Sequence, residues 1–193
     1  MPGASMHWLS VQLRAQGFEP RTFSYHSVSD DPDQAAARLG DLLLAEGEAD
    51  IVAHSLGGLI ALQALRDRPG LPVARVVCLG SPLAGSGAAA GMARWAPGGG
   101  LLGRSARLLH DGLGPWQGRA EVGSLAGRVP HGLGALFAGF AGEHDGTVAV
   151  DETRIEGLAD HVVVDASHSG LLFSAAAAEQ ACAFLRDGGF RHR

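Results

Sequence analysis

The chain contains no lysine: all 15 of its basic residues are arginines, set against 20 acidic residues for a net charge of -5. Without a lysine amine, Schiff-base catalysis and a lysine-dependent phosphate loop are excluded. There is no basic stripe beyond the short tail "FRHR", so nucleic acid is not an expected partner. No apolar run reaches the roughly 18 residues of a membrane span, and the N-terminus lacks the basic start and apolar core of a signal peptide. These features predict a cytoplasmic protein with no integral membrane segment.

Cysteine is also scarce. Cys78 and Cys182 are the two cysteines, and Cys78 lies in the apolar run "VARVVCLG". Two isolated cysteines in a chain of this length indicate small core residues rather than a disulfide bridge. With 46% apolar and 18% charged residues over 193 positions, we expect one globular domain, 1–193, without internal repeats.

Strand and helix patterns alternate along most of the chain. We predict helices over 4–18, stopped at Gly17, and from Pro32 to Gly47, with further helices over 57–67 and 170–188. The predicted strands are 21–25, 50–55, 73–81, 120–127 and the start of 159–169. Several of these strands are continuous apolar runs, which are typical of strands covered on both faces. The pattern therefore predicts a three-layer α/β sandwich whose mostly parallel sheet is flanked by helices.

The segment 83–142 is glycine-rich and less regular. It predicts short helices near 86–95 and 101–111 and is interpreted as an irregular lid or substrate-binding insertion; a loose connection is the alternative. Its apolar residues would suit an acyl chain, or equally an ordinary core beneath a long loop. They are Trp95, Leu101, Leu102, Leu108, Leu109, Trp116, Leu133, Leu136 and Phe137.

The stretch "AHSLGG" places Ser55 between a predicted strand and a predicted helix. A sharp turn there would lift the serine hydroxyl clear of the backbone, and it needs small residues on either side, here Ala53 and Gly57. The N–H of Leu56, at the start of the helix, would be a donor to a developing oxyanion. The alternative is that Ser55 simply caps the helix.

A serine nucleophile needs a base and an acid, and both occur later in the chain. Asp145 in "HDG" and His168 in "ASHSG" fall near carboxyl ends of predicted strands, the edge where ligands bind in open α/β sheets. The chain order serine, aspartate, histidine matches one known triad architecture. Asp145 could instead be a turn residue and His168 a loop histidine. Asp151 and Asp165 are the alternative acids.

The other histidines could shape a turn or bind a metal. His54, beside the serine, is predicted to shape the turn rather than transfer a proton. A metal site would have to gather His144, Asp145, His161 and His168, but no pair among them has a usual ligand spacing. A bound metal is therefore not expected.

Four segments, "VAHSLGG", "VVCLGSPLAGS", "HDGTV" and "SHSGLLFS", resemble those of α/β-hydrolases, and more narrowly of bacterial lipase-like serine hydrolases, over about residues 5–187. The resemblance implies hydrolysis of carboxylic esters, small or lipid-like, through an acyl-enzyme. It assigns Ser55 as nucleophile, Asp145 as acid and His168 as base, without a cofactor. An acyltransferase using the same triad is one alternative, and an impaired hydrolase-fold binding protein is another.

The chain departs from this family in one respect. The family has a strand ending in His-Gly, between those predicted at 21–25 and 50–55, and the loop after it supplies a second oxyanion donor. Unpaired buried backbone groups are costly, so we do not expect the position of this strand in the sheet to be left unoccupied. We expect the true start to lie upstream; direct closure of the two strands, or an unstable and inactive domain, are the alternatives. As the sequence stands, Leu56 is the one secure oxyanion donor.

Overall fold

The computed structural model describes residues 6–26, 31–87, 105–131 and 142–192. These segments contain both helices and strands. The helices are α1 (His7–Ala15), α2 (Pro32–Glu46), α3 (Leu56–Asp67), α4 (Ala106–Asp111) and α5 (Ala175–Asp187). The strands are β1 (Ala49–His54), β2 (Val73–Leu79), β3 (Glu121–Gly127) and β4 (Asp160–Val164). Short 3-10 turns cover Asp151–Thr153 and Gly170–Phe173.

The sheet has the order β1-β2-β3-β4, and every neighbouring pair is parallel. His54 pairs with Leu79, and Leu79 pairs in turn with Leu125. The carboxyl ends of these strands therefore form one rim of the sheet. The predicted parallel sheet flanked by helices is confirmed.

Side chains of β2 alternate between two cores, one on each face of the sheet. Val76 and Cys78 pack in the core that α2 and α3 cover, whereas Val77 and Leu79 pack in the core under α1 and α5. Cys182 lies in the second core, so the sheet separates the two cysteines. Both cysteines are buried free thiols.

Local signals in the sequence explain most helix ends. The Asp31 carboxylate accepts the N–H of Asp33 at 3.0 Å, Pro32 occupies the first turn of α2, and Gly47 ends that helix at φ +83. The last helix begins later than predicted. Its N-cap is Ser174, whose hydroxyl accepts the N–H of Ala177, while 170–173 form a separate 3-10 turn.

The strand predicted at 21–25 is wrong, because residues 19–26 form no ladder with any described strand. Phe23 stacks on Tyr25 at a centroid distance of 6.3 Å, and both pack against the α2–α3 core. A strand needs a partner edge, and here a cavity of about 550 Å³ separates this segment from β1. The cavity is lined by β1, by Phe23 and Tyr25, and by side chains of both helical layers. No described strand pairs with this edge of β1.

The glycine-rich segment is described only in part. α4 matches the end of the helix predicted at 101–111, and β3 confirms the strand predicted at 120–127. The helix predicted near 86–95 falls almost entirely outside the described residues, as do large parts of the predicted lid at 88–104 and 132–141. Among the helices that the structure describes, none has the length and hydropathy needed to cross a bilayer.

Candidate active site

Ser55 sits in the turn between β1 and α3 with φ 56 and ψ -128. It has the one positive φ among the described non-glycine residues, a strained conformation for a residue with a Cβ. Its N–H donates to the Leu79 oxygen at 2.9 Å and its own carbonyl accepts the N–H of Gly58 at 3.1 Å, so the turn is held on both sides. The side chain of Ser55 makes no capping hydrogen bond to α3. Its hydroxyl is therefore free to face the rim of the sheet.

The hydroxyl of Ser55 faces His168, and His168 in turn contacts Asp145. Ser55 Oγ lies 3.0 Å from His168 Nε2, and His168 Nδ1 lies 2.7 Å from Asp145 Oδ2. His168 is 7% exposed and Asp145 1% exposed. The main-chain N–H of His168 also donates to the Asp145 carbonyl at 2.9 Å. The three residues predicted from motif and chain order thus form one continuous hydrogen-bonded chain.

The Asp145 carboxylate is held by its own loop. Its Oδ1 accepts the N–H groups of Thr147 at 2.9 Å and Val148 at 2.7 Å, which leaves Oδ2 to accept from His168. Asp145 is therefore a turn residue and the partner of the imidazole at once. It lies against the end of β3, since a Cβ added to Gly127 would stand 2.9 Å from that of Asp145.

The alternative acids have other positions. Asp165 is exposed and pairs with Arg128 at 2.6 Å, an interaction that lowers the pKa of its carboxyl group. Asp151 begins the 3-10 turn Asp151–Thr153. The carboxylate hydrogen-bonded to the His168 ring is that of Asp145.

The small residues around Ser55 do not all carry the same steric demand. Ala53 and Gly57 lie side by side, but a Cβ on Gly57 would meet that of Ala53 at 3.7 Å, an ordinary contact. The tighter position is Gly58, where a Cβ would clash with Ser81 Oγ. The sequence signal for it is the second glycine of "SLGG", which the prediction did not use.

Gly80 is a second glycine that sequence reasoning missed. Its φ is +55, and a Cβ there would stand 2.8 Å from Leu171 Cδ1 and 3.2 Å from both Asp145 Oδ2 and His168 Nδ1. Gly80 thus lets the chain pass directly beneath the contact between imidazole and carboxylate. Only its place at the end of an apolar strand, in "LGSP", hints at this role in the sequence.

His54 contacts the candidate base, a position that sequence reasoning did not predict. Its Nε2 lies 2.9 Å from the main-chain oxygen of His168, and the two rings have a centroid distance of 4.7 Å. A carbonyl oxygen accepts only, so Nε2 of His54 carries the proton. Burial, as the main cause, lowers the pKa of His54 to about 4. His54 is therefore a neutral donor at neutral pH.

Leu56 is the first residue of α3 and is 6% exposed. N–H groups in the first turn of a helix have no acceptor within the helix, and they lie at the positive end of its dipole. The Leu56 N–H is therefore an available donor next to Ser55. Residues 1–5 lie outside the described residues.

The candidate metal-ligating histidines have separate partners. His144 accepts the N–H of Gly146 through Nδ1, and His161 Nε2 contacts the Thr153 hydroxyl at 2.8 Å. Within the described part of the chain, no three histidine, cysteine or acidic side chains are grouped so as to hold a metal ion.

Neither a protein-family model nor a curated protein sequence matches the chain. Solved structures do match. The mature form of the lipase BlEst2 from Bacillus licheniformis gives a TM-score of 0.75 at 20% identity, over 96% of this chain and 86% of that one. Phospholipase PlaB from Legionella pneumophila gives 0.61 at 18% identity, over 88% of this chain and 50% of that one. A pyrethroid hydrolase from Sphingobium faniae gives 0.51 at 16% identity, over 96% and 92%.

These neighbours share an architecture with this chain at low sequence identity. The chain spans about half the length of the phospholipase and most of the mature lipase. Together with the parallel sheet and its flanking helices, the matches show that the chain has an α/β-hydrolase-like fold.

Proposed function

We propose that the protein is a serine hydrolase that cleaves carboxylic esters through an acyl-enzyme on Ser55. The observation that carries this proposal is the continuous contact from Ser55 Oγ through the His168 ring to the Asp145 carboxylate, at 3.0 and 2.7 Å. An oxygen nucleophile, a base and an orienting acid within hydrogen-bond reach are the minimal set for acyl transfer. The fold shared with lipases supports the same reaction class.

Acylation begins when the Ser55 hydroxyl gives its proton to His168 Nε2 and Oγ attacks the ester carbonyl carbon. The carbonyl double bond opens, and the negative charge moves to the former carbonyl oxygen. The Leu56 N–H, at the positive end of α3, stabilises that oxyanion. As the tetrahedral intermediate collapses, the imidazolium protonates the leaving alkoxide. The alcohol departs and the acyl group stays on Oγ.

Deacylation repeats these steps with water in place of serine. His168 Nε2 takes a proton from the water, the hydroxide attacks the acyl carbon, and the proton returns to Ser55 Oγ as the acid leaves. Asp145 accepts the Nδ1–H throughout, so Nε2 is the nitrogen that faces Ser55 unprotonated at the start of each half-reaction. The two N–H groups on Oδ1 keep the carboxylate in that orientation.

A fluorophosphonate probe tests the nucleophile directly, because it forms a stable adduct with an activated serine. We expect one adduct on the wild-type protein, placed on Ser55 by mass spectrometry and lost in Ser55→Ala. Ser169, an exposed serine beside His168, offers a matched control, and Ser169→Ala should label as the wild type does. Labelling at another residue, or none in a folded wild-type protein, would refute the proposal.

Substrate class is tested with p-nitrophenyl esters of increasing acyl length. We propose carboxylic esters, small or lipid-like, as substrates, so the wild type should release p-nitrophenol and Ser55→Ala should not. Adding an alcohol acceptor separates hydrolysis from acyl transfer: hydrolysis gives free acid as the main product, whereas a transferase gives the new ester.

A further inference from the structure

His54 and Ser55 are consecutive residues, and both contact His168. Ser55 meets the ring through Oγ, whereas His54 Nε2 meets the main-chain oxygen 2.9 Å away, across 114 positions of sequence. His54 is 5% exposed, so water does not compete for this hydrogen bond. The same turn therefore presents the nucleophile and holds the backbone of the base.

We propose that His54 is a positioning residue, whose Nε2–H bond to the main-chain oxygen of His168 places the imidazole opposite Ser55 Oγ. This inference rests on the proposed function of Ser55 and His168. It assigns His54 no contact with substrate and no proton transfer. Its effect is exerted through the loop that carries His168.

The position of His168 depends on a few anchors, because it lies in a loop four residues beyond the end of β4. Its main-chain N–H donates to the Asp145 carbonyl at 2.9 Å, and its main-chain oxygen accepts from His54. The two bonds tie opposite ends of the residue to separate elements. Removing the second one frees the peptide group after the imidazole to rotate. A displacement of about 1 Å of a catalytic group can reduce the rate about a hundredfold.

The chemistry of the His54 ring suits this role. Burial lowers its pKa to about 4, so the ring stays a neutral donor while His168 becomes an imidazolium during turnover. A permanently charged donor at this distance would oppose protonation of the base. Nδ1 of His54 is buried without a hydrogen-bond partner among the described residues, which by itself lowers stability. The bond from Nε2 is therefore the favourable contact that this side chain makes at the rim.

Two substitutions separate the hydrogen bond from simple space filling. His54→Met introduces an apolar side chain of similar length and removes the hydrogen-bond donor. His54→Gln retains an N–H donor at the end of the side chain. On a p-nitrophenyl ester we expect kcat of His54→Met to fall about 10- to 100-fold with KM little changed. His54→Gln should recover most of that loss. The rate of fluorophosphonate labelling should follow kcat in both variants.

His161 provides a matched control. It too has a buried Nδ1 without a partner among the described residues, and burial lowers its pKa to about 4. It lies on β4 and contacts Thr153, away from Ser55. His161→Met should therefore change stability without changing kcat.

The outcomes distinguish this inference from the proposed function. A folded wild type with neither turnover nor labelling overturns both. An active wild type whose His54→Met variant keeps full kcat overturns the positioning role alone, as does His54→Gln losing as much as His54→Met. If the variants fail to fold, nitrogen-15 spectra of the wild type at neutral pH decide. The inference requires a proton on Nε2 of His54 and none on Nδ1, and the opposite tautomer refutes it.

Discussion

The backbone of Ser55 predicts that removing its Cβ stabilises the protein. At φ 56 and ψ -128, the residue occupies a region that glycine enters freely and other residues enter at a cost of about 1–3 kcal/mol. Ser55→Gly relieves that strain, whereas Ser55→Ala retains it. Both variants lose the contact between Oγ and His168 Nε2, so this loss cancels when the two are compared.

Glycine also raises the conformational entropy of the unfolded chain, which lowers the free energy of unfolding by about 0.4–1 kcal/mol. Subtracting this from the strain leaves Ser55→Gly more stable than Ser55→Ala by about 1 kcal/mol, and at most by about 2.5 kcal/mol. For a chain of this size, each kcal/mol raises Tm by about 2–4 °C. Neither variant should hydrolyse a p-nitrophenyl ester.

Urea unfolding followed by circular dichroism measures this difference, and thermal melts provide a second measurement. Ser169, at φ -74, is the matched control because its backbone is unstrained. There glycine should be less stable than alanine by about 0.5–1 kcal/mol, so the sign reverses between the two positions. If Ser55→Gly is no more stable than Ser55→Ala, residue 55 is not strained and the account of the turn fails.

Three further predictions concern the surroundings of the site. Gly80→Ala would bring a Cβ to 3.2 Å from the Asp145 carboxylate and should lower kcat about 10- to 100-fold. The control is Gly17→Ala, at φ +87 in open space, which should lower the free energy of unfolding but leave kcat unchanged. Equal kcat values for the two variants would contradict the role given to Gly80. Asp145→Asn should lower kcat about a thousand- to ten-thousand-fold, whereas Asp165→Asn should leave kcat unchanged. Steady-state kinetics measures both, and the reverse pattern would show that Asp145 is not the acid. Because the pKa of His54 is about 4 when folded and 6.5 when exposed, only the unfolded chain gains its proton as pH falls through that window, so stability is lost on acidification. Between pH 7 and 5 the free energy of unfolding falls by about 2 kcal/mol because of His54. Urea unfolding of His54→Gln should therefore show a pH dependence that is smaller by that amount. An unchanged pH dependence would show that His54 is not the group responsible.

Much of the fold could be predicted because its signals are local. The apolar runs of β1, β2 and β3 and the caps of α2 are readable within a few residues of sequence. The segment 21–25 has the same kind of local signal but does not form a strand. A strand forms only where it can pair with the edge of another strand. A short segment of sequence does not show whether the folded chain brings such an edge next to it.

The candidate site also has parts that local sequence signals predict and parts that depend on long-range contacts. Ser55, Asp145 and His168 could be predicted because each lies near the end of a strand, and parallel strands end at one rim. The contact of His54 with His168 spans 114 positions, and the space beneath Gly80 is set by side chains from two other loops. Such long-range contacts follow from packing, so neither could be derived from the motif alone.

The outer edge of β1 also affects how the protein behaves in solution. Since Ala49 and Ser55 direct their N–H groups to β2, the intervening Asp50, Val52 and His54 direct theirs away from it, toward the cavity. Amide protons there should exchange with solvent deuterium sooner than those facing β2. Among the described residues no strand pairs with this edge, and an unpaired strand edge attracts strands of neighbouring molecules, so colloidal stability at high concentration depends on this flank of the sheet.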